Sequence, residues 1–176
     1  MILKSKSQIS KPENLEDLYQ LSPMQQGMLF HCLYSPNSSV YFEQSLFTIK
    51  GHLNVPAFED SWKRVVQRHS ILRTAFLWED LEKPVQAVFR HVDLPVTNRD
   101  WRTLTSEQRE QQLQAFIETD RDEGFVLSEA PLMRLALFRY ADDEYKFLFS
   151  RHHLVLDRWS RSLLFKDFFS IYDALS

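Results

Sequence analysis

The chain has 176 residues, of which 44% are hydrophobic and 26% are charged, and its formal net charge is -3. This composition can bury the core of one domain. It argues against a general nucleic-acid binder or an anionic-membrane binder, because both need a basic surface. Cys32 is the only cysteine, so no disulfide can form within the chain, and we expect a reducing, cytoplasmic location. Residues 1–14 lack the continuous apolar stretch of a secretory signal or a membrane span.

Four segments have the start signals or the apolar periodicity of α-helices. Ser22 followed by Gln25 is a capping box, and so is Thr105 followed by Gln108. Two other segments repeat apolar residues at helical spacing, one of them at residues 163–175. The side chains expected to face inward are Met24, Met28 and Leu29 in the first helix, Phe58, Trp62, Val65 and Val66 in the second, Leu113, Phe116 and Ile117 in the third, and Leu164, Phe168, Ile171 and Tyr172 in the fourth.

Between the helices, apolar and polar residues alternate as in half-buried strands. Strands are predicted at residues 41–50, 72–78, 85–89, 132–140 and 145–151. The last two can pair as a hairpin. No internal repeat or low-complexity linker divides the chain, so the alternation of helices and strands predicts a single α/β domain. We expect a two-layer sandwich with helices packed on a mixed sheet.

Two adjacent histidines and an aspartate lie between the last predicted strand and the last predicted helix, in the segment HHLVLD at residues 152–157. Successive side chains of an extended segment point to opposite faces. One imidazole can therefore face the core while its neighbour faces a cleft. Asp157 stands in the turn before the helix, where a carboxylate can hold the turn.

Three interpretations of this cluster remain open from the residues alone. The histidines can be hydrogen-bonded core residues, with Asp157 serving only as a helix N-cap. Two imidazoles and a carboxylate can also bind zinc or iron, but adjacent strand residues diverge, so we expect no metal. The third interpretation is a general base with a structural partner.

The segment resembles the His-His-x-x-x-Asp-Gly signature of the condensation domains of nonribosomal peptide synthetases, which have a chloramphenicol acetyltransferase-like fold. Three upstream segments resemble other motifs of that family and occur in the family's order. They are residues 19–31 (YQLSPMQQGMLFH), 68–76 (RHSILRTAF) and 124–134 (GFVLSEAPLMR). The resemblance implies that residues 1–17 are a leader or docking segment. It also implies that residues 18–176 are the N-terminal lobe of a two-lobed domain, whose second lobe is absent from this chain.

The resemblance implies a peptide-bond-forming acyltransferase in nonribosomal peptide biosynthesis. A carrier-bound aminoacyl or peptidyl thioester would be transferred to the amine of an acceptor aminoacyl thioester. His153 would be the catalytic residue. His152, Asp157 and Arg73 would support the catalytic loop, the last two as an ion pair.

The resemblance also implies the partners of such a domain. They are the C-terminal lobe, the donor and acceptor peptidyl carrier domains, and the adenylation domain of the same synthetase. We expect no cofactor bound by the domain itself, because its substrates arrive on the phosphopantetheine arms of the carriers. The substrate tunnel lies between the two lobes in this family, so we expect the isolated lobe to be inactive.

One residue departs from the family signature, because Arg158 stands where glycine normally follows the aspartate. Arginine adds bulk and a permanent charge, so it could narrow the acceptor route or bind a phosphate or carboxylate. We place Arg158, Trp159 and Ser160 on the acceptor side of the tunnel. Two alternatives therefore accompany the enzyme: a non-catalytic carrier-binding platform of the same fold, and a freestanding acyltransferase that completes its cleft by oligomerising.

Overall fold

The computed structural model of the chain describes residues 13–35 and 39–176. The helices in this part are α1 (Pro23–Tyr34), α2 (Val55–Arg68), α3 (Ser106–Glu123) and α4 (Arg158–Leu175), with a 3-10 helix at Ser70–Arg73. The strands are β1 (Leu15–Gln20), β2 (Phe42–Lys50), β3 (Thr74–Leu77), β4 (Val85–Phe89), β5 (Val96–Asp100), β6 (Met133–Ala141) and β7 (Glu144–His152). No helix among the described residues is long and apolar enough to span a membrane.

The strands form two sheets. The smaller has the antiparallel order β1-β4-β3, and the larger has the order β2-β7-β6-β5. In the larger sheet β5 runs parallel to β6 and the other neighbours are antiparallel, so the predicted mixed sheet is confirmed. The predicted hairpin is also confirmed, because β6 and β7 pair up to Ala141 opposite Glu144. β1 and β5 were not predicted, and without β1 the smaller sheet could not be recognised as a separate unit.

The larger sheet carries helices on both faces, because β6 is apolar on both sides. Leu135 and Leu137 belong to the main core with α2 and α4, while Ala136 and Phe138 belong to a second cluster with α3. The sequence of a strand that is buried on both faces is a continuous apolar run rather than an alternation of apolar and polar residues. The α/β class is confirmed, and α3 adds a helix on the face opposite α2 and α4.

Trp62 of α2 is the centre of the main core, where its side chain is 0% exposed. Its ring stacks on Phe168 of α4 with 4.7 Å between centroids, and on Phe149 of β7 with 5.4 Å. Phe58 makes an edge-to-face contact with Phe168 at 5.2 Å. These aromatic contacts join α2 and α4 to β7, the strand that ends at the histidine pair.

The starts of α1 and α3 were predicted correctly from capping residues. Ser22 and Thr105 each accept a hydrogen bond from the backbone N–H three residues later, and both capping boxes are closed. The prediction that Met24 faces inward is wrong, because its side chain is 73% exposed. Met24 lies in the first turn of α1, and this helix contributes to the core only from Met28 onward.

Several predicted boundaries differ from the structure, and the largest difference is in the last helix, which was predicted from residue 163 and begins at Arg158. The expected leader, residues 1–17, overlaps the start of β1, which pairs with β4 from Leu15 opposite Phe89. Residues 1–12 lie outside the described residues. The strand predicted from residue 72 begins at Thr74. The preceding residues form the 3-10 helix, which is closed by the Thr74 hydroxyl donating to the Ser70 carbonyl at 2.9 Å.

Candidate active site

The two histidines lie where β7 leaves the sheet. The His152 N–H donates to the Leu132 carbonyl at 3.0 Å, and the His153 N–H donates to the Tyr41 carbonyl at 2.8 Å. The residue His152 is 6% exposed, whereas the side chain of His153 is 30% exposed. The expected divergence of the two imidazoles is therefore observed, with His152 in the interior and His153 at the surface.

His152 is held in the neutral state by its surroundings. Burial lowers the pKa of His152 to about 4, and the neighbouring His153 adds to this effect. Its Nδ1 accepts a hydrogen bond from the Leu154 N–H at 3.2 Å, which requires that the ring proton be on Nε2. Nε2 lies 3.7 Å from the Cys32 sulfur, and burial raises the pKa of this thiol. His152 thus anchors the loop that follows β7.

His153 contacts an acidic side chain that sequence reasoning did not single out. Its Nδ1 lies 3.3 Å from Oε1 of Glu43, and the imidazole lies nearly parallel to the Tyr41 ring, with 14° between the planes. Oε2 of Glu43 is bound by the guanidinium of Arg151, whose side chain is buried. The imidazole that faces the surface therefore rests against a carboxylate that is already paired with a cation.

Asp157 caps α4. Its Oδ1 accepts a hydrogen bond from the Ser160 N–H at 2.7 Å, and this bond lowers the pKa of the Asp157 carboxyl. The side chain is exposed, so its role here does not depend on burial.

The predicted ion pair between Arg73 and Asp157 is wrong. Arg73 instead contacts Glu16 of β1 at 2.6 Å and the carbonyl of Phe89 at the end of β4. Arg73 is buried against the smaller sheet, while Asp157 is satisfied by the backbone of its own helix. Arg73 therefore supports the contact between β1 and β4 rather than the histidine loop.

Arg158, Trp159 and Ser160 form the first turn of α4, and all three are exposed. The side chain of Trp159 is 84% exposed. These residues begin a helix immediately after the capping aspartate, where the helix N-terminus favours negative charge. The first turn therefore places the cation of Arg158 where the helix dipole favours an anion, next to the exposed ring of Trp159.

A cavity of about 500 Å³ opens beside His152. Its walls include Cys32, Phe42 and Trp78, together with residues 121–125 and Leu127. Arg158, Trp159 and Ser160 do not line this cavity. The tunnel residues expected from the resemblance and the cavity therefore occupy different places around the loop.

A buried ion pair fixes the wall of this cavity. Arg134 of β6 binds the Asp120 carboxylate and donates to the Gly124 carbonyl at 2.7 Å, and its guanidinium lies 4.6 Å from the centre of the Phe125 ring. Asp120 also accepts a hydrogen bond from the Ser150 hydroxyl at 2.5 Å. The pair thus connects the end of α3 to β6 and β7, next to the histidines.

The two histidines do not form a shared metal site. Their rings have separate surroundings, and within residues 13–35 and 39–176 no group of three or more His, Cys, Asp or Glu side chains is arranged to hold a metal ion. The chemistry that this arrangement can perform is proton transfer or hydrogen bonding by the exposed imidazole of His153.

Comparison with known proteins identifies the family. Residues 15–176 match the sequence profile of the family described as "Condensation domain". This chain belongs to the condensation domain family. The family predicted from the three upstream motifs and the histidine pair is therefore confirmed.

Several peptide synthetases are similar in sequence to this condensation domain chain. One protein of the linear gramicidin synthase of Brevibacillus parabrevis is 45% identical over 161 residues, which are 92% of this chain and 2% of that protein. One protein of the plipastatin synthase of Bacillus subtilis (strain 168) is 40% identical over 169 residues, covering 95% of this chain and 7% of that protein. The chain spans only a small part of the curated relatives it matches, between 2% and 13% of their length.

Solved structures confirm the predicted fold of this condensation domain chain. The starter condensation domain of rhizomide synthetase RzmA matches with a TM-score of 0.80 at 23% identity, over 91% of this chain and 40% of that one. The four-domain nonribosomal peptide synthetase AB3403, bound to AMP and glycine, matches with a TM-score of 0.77 at 21% identity, over 94% of this chain and 12% of that one. The chloramphenicol acetyltransferase-like fold is thereby confirmed.

Sequence reasoning missed two charged groups around the histidines of this condensation domain. Glu43 was read only as a strand residue, and Asp120 only as part of a helix. No sequence signal points to Glu43, because only the register of β2 and β7 places it directly opposite Arg151. The signal for Asp120 is Arg134, an inward-pointing arginine that needs a buried carboxylate.

Proposed function

We propose that this chain supplies the histidine pair of a condensation domain that forms peptide bonds within a nonribosomal peptide synthetase. The observation that carries the proposal is the contrast between the histidines in a chain of this family. His152 is buried and kept neutral, whereas His153 is partly exposed at the end of β7. One histidine is thus available to a substrate while the other holds the loop.

In the proposed reaction the amine of the acceptor attacks the thioester carbonyl of the donor. A carbon–nitrogen bond forms, the carbon–sulfur bond breaks, and the proton lost by the amine balances the thiolate that leaves. His153 can remove this proton or accept a hydrogen bond from the amine, and both roles need an unprotonated ring nitrogen. Holding both substrates on carrier arms raises their effective concentration, and this accounts for a further part of the rate enhancement.

The proposed partners follow from this reaction and from the multidomain relatives. They are the C-terminal lobe that completes the tunnel, the donor and acceptor peptidyl carrier domains with their phosphopantetheine arms, and the adenylation domain. The proposed domain binds no cofactor of its own, and without the second lobe it is inactive. The single cysteine supports a reducing, cytoplasmic location.

Replacement of His153 by alanine tests the proposal. In the full-length synthetase, with both carriers loaded, we expect His153→Ala to slow amide formation by about 100- to 10,000-fold, because that is the usual contribution of a general base. His52→Ala is the matched control, since His52 is exposed and lies beyond the opposite end of β2. Amide formation at the parent rate in His153→Ala would remove His153 from the reaction.

A second candidate is a carrier-binding platform that makes no bond. Arg158 favours it, because an exposed arginine occupies the position where the family signature has glycine. Titration of the full-length protein with loaded carriers distinguishes the two functions. Stoichiometric binding without any amide product, both in the parent and in Arg158→Gly, supports the platform. Product formation in the parent excludes it.

A further inference from the structure

Glu43 contacts the two groups that flank it on β7 and on the histidine loop. It lies opposite Arg151 in the antiparallel register of β2 and β7. Its Oε2 is bound by the Arg151 guanidinium, and its Oε1 lies 3.3 Å from Nδ1 of His153. The two oxygens therefore have separate partners, one a permanent cation and the other an imidazole.

The contacts of Arg151 hold the carboxylate of Glu43 in place. The side chain of Arg151 is 4% exposed, and its second nitrogen donates to the Ser45 hydroxyl at 3.1 Å. Arg161 of α4 reaches the same hydroxyl at 3.3 Å. Two guanidinium groups thus contact the Ser45 hydroxyl, and one of them also holds the Glu43 carboxylate.

His153 depends on Glu43 for an electrostatic partner at Nδ1. This atom is buried, and no group of the described residues makes an aligned hydrogen bond with it. A carboxylate only accepts hydrogen bonds, so the contact is attractive when Nδ1 carries the proton and repulsive when Nδ1 presents its lone pair. Because Nδ1 is buried while 30% of the side chain is exposed, the exposed part of the ring lies away from Nδ1.

We propose that Glu43 is a positioning residue that keeps the proton of neutral His153 on Nδ1 and leaves Nε2 unprotonated toward the substrate side. The value of this arrangement for catalysis rests on the proposed function. The tautomer itself does not, because it follows from the contact between Oε1 and Nδ1.

The variant Glu43→Gln tests the proposal because it reverses the polarity of the contact. Arg151 only donates hydrogen bonds, so it keeps the amide oxygen of glutamine and turns the amide NH₂ toward His153. Nδ1 must then accept, and the ring proton moves to Nε2. Glutamine has nearly the size of glutamate, and its amide oxygen can still accept a hydrogen bond from Arg151. Ser45→Ala is the matched control, since it removes a hydrogen bond of Arg151 without touching His153.

The readout is ¹⁵N NMR of the histidine side chains, recorded about two pH units above the ordinary histidine pKa of ~6.5 so that the rings are neutral. The signals of His153 are identified by their loss in His153→Gln. We expect the Nδ1–H tautomer in the parent and in Ser45→Ala, and the Nε2–H tautomer in Glu43→Gln. An Nε2–H tautomer in the parent overturns the proposal by itself. A tautomer in Glu43→Gln that is the same as in the parent also overturns it.

Amide formation in the full-length protein separates this proposal from the proposed function. We expect Glu43→Gln to slow the reaction at least tenfold without weakening carrier binding. Adding Glu43→Gln to His153→Ala should cost nothing more, because both changes act on the same group. Full activity of His153→Ala overturns the proposed function and leaves the tautomer result standing. A further loss in the double variant overturns the assignment of Glu43 as a partner of His153.

Discussion

His152 and His153 are adjacent in the chain but have different surroundings, because the strand directs their side chains to opposite sides. His152 accepts a hydrogen bond from the Leu154 N–H, and it is neutral because burial opposes its charge. His153 is partly exposed and has a carboxylate at one ring nitrogen. The two identical residues thus differ in burial and in hydrogen-bond partners.

The burial of His152 makes the stability of the fold depend on pH. The pKa of His152 falls from 6.5 to about 4 in the folded chain. As the pH falls below about 6.5, the imidazole takes up a proton only in the unfolded chain, which favours unfolding. The stability that His152 contributes is therefore complete above pH 6.5 and is lost as the pH falls to about 4. The loss is on the order of 3 kcal/mol.

We expect His152→Asn to remove this dependence, because an amide has no charge to gain and its oxygen can accept the Leu154 N–H. The free energy of unfolding, measured by urea denaturation across this pH range, should fall less steeply in the variant than in the parent. His52→Asn is the control, since His52 is exposed and should leave the slope unchanged. Parallel curves for His152→Asn and the parent would show that His152 is not held neutral.

The capping role of Asp157 predicts a modest effect on stability. Asp157→Ala should cost about 1 kcal/mol, because one capping hydrogen bond is lost from an exposed helix end. Asp157→Asn should stay close to the parent, since asparagine caps helices equally well. Urea denaturation measures both. A loss of about 3–5 kcal/mol in Asp157→Ala would instead indicate a buried ion pair and restore the pairing with Arg73.

At the scale of elements, the end of α3 shapes the cavity beside the histidines. Gly124 ends this helix with φ 59° and ψ -150°, a conformation that side chains strongly disfavour. The turn brings Phe125 onto the guanidinium of Arg134, which binds Asp120 in the last turn of α3. The conformation of Gly124 therefore determines where the chain turns away from α3 to form the cavity wall.

Substitution of two glycines by alanine should change stability in opposite directions. Gly124→Ala should destabilise the chain by about 1–3 kcal/mol, because the backbone conformation is strained for alanine. Gly27→Ala should stabilise it by about 0.5–1 kcal/mol, because Gly27 lies within α1. An added Cβ meets no atom within 4 Å at either position, so crowding does not contribute. Urea denaturation measures the free energy of unfolding of both variants. Equal changes in the two would contradict the view that the positive φ of Gly124 causes the loss of stability in Gly124→Ala.

At the scale of the whole molecule, the aromatic core joins the helices to the strand that carries the site. Trp62 contacts β7 on one side and α4 on the other. The histidine loop connects these same two elements, since it follows β7 and precedes α4. The position of the loop therefore depends on the packing of the core.

The two tryptophans Trp62 and Trp159 test this dependence. Trp62→Ala should cost about 3–5 kcal/mol, because it leaves a large cavity in the core. Trp159→Ala should change stability by less than about 0.5 kcal/mol, because its side chain is 84% exposed. Guanidinium chloride denaturation of both variants measures the difference. A comparable loss at Trp159 would mean that the first turn of α4 is packed against another surface in solution.

The sequence determined the features that depend on neighbours along the chain. Capping residues gave the starts of α1 and α3, and the HHLVLD segment with its three upstream motifs gave the family. The strand patterns of residues 132–140 and 145–151 gave the hairpin of β6 and β7, and the extended backbone at the end of β7 gave the opposite directions of the two histidines. Such features follow from backbone geometry over a few residues, so a pattern suffices to predict them.

Only the tertiary structure decided the contacts between distant segments. Glu43 reaches His153 because β2 pairs with β7 in one register, and a shift of one residue would turn its side chain to the other face. Arg73 binds Glu16 rather than Asp157 because β1 pairs with β4. Each of these contacts joins residues more than fifty positions apart, where spacing along the chain carries no information about distance in space.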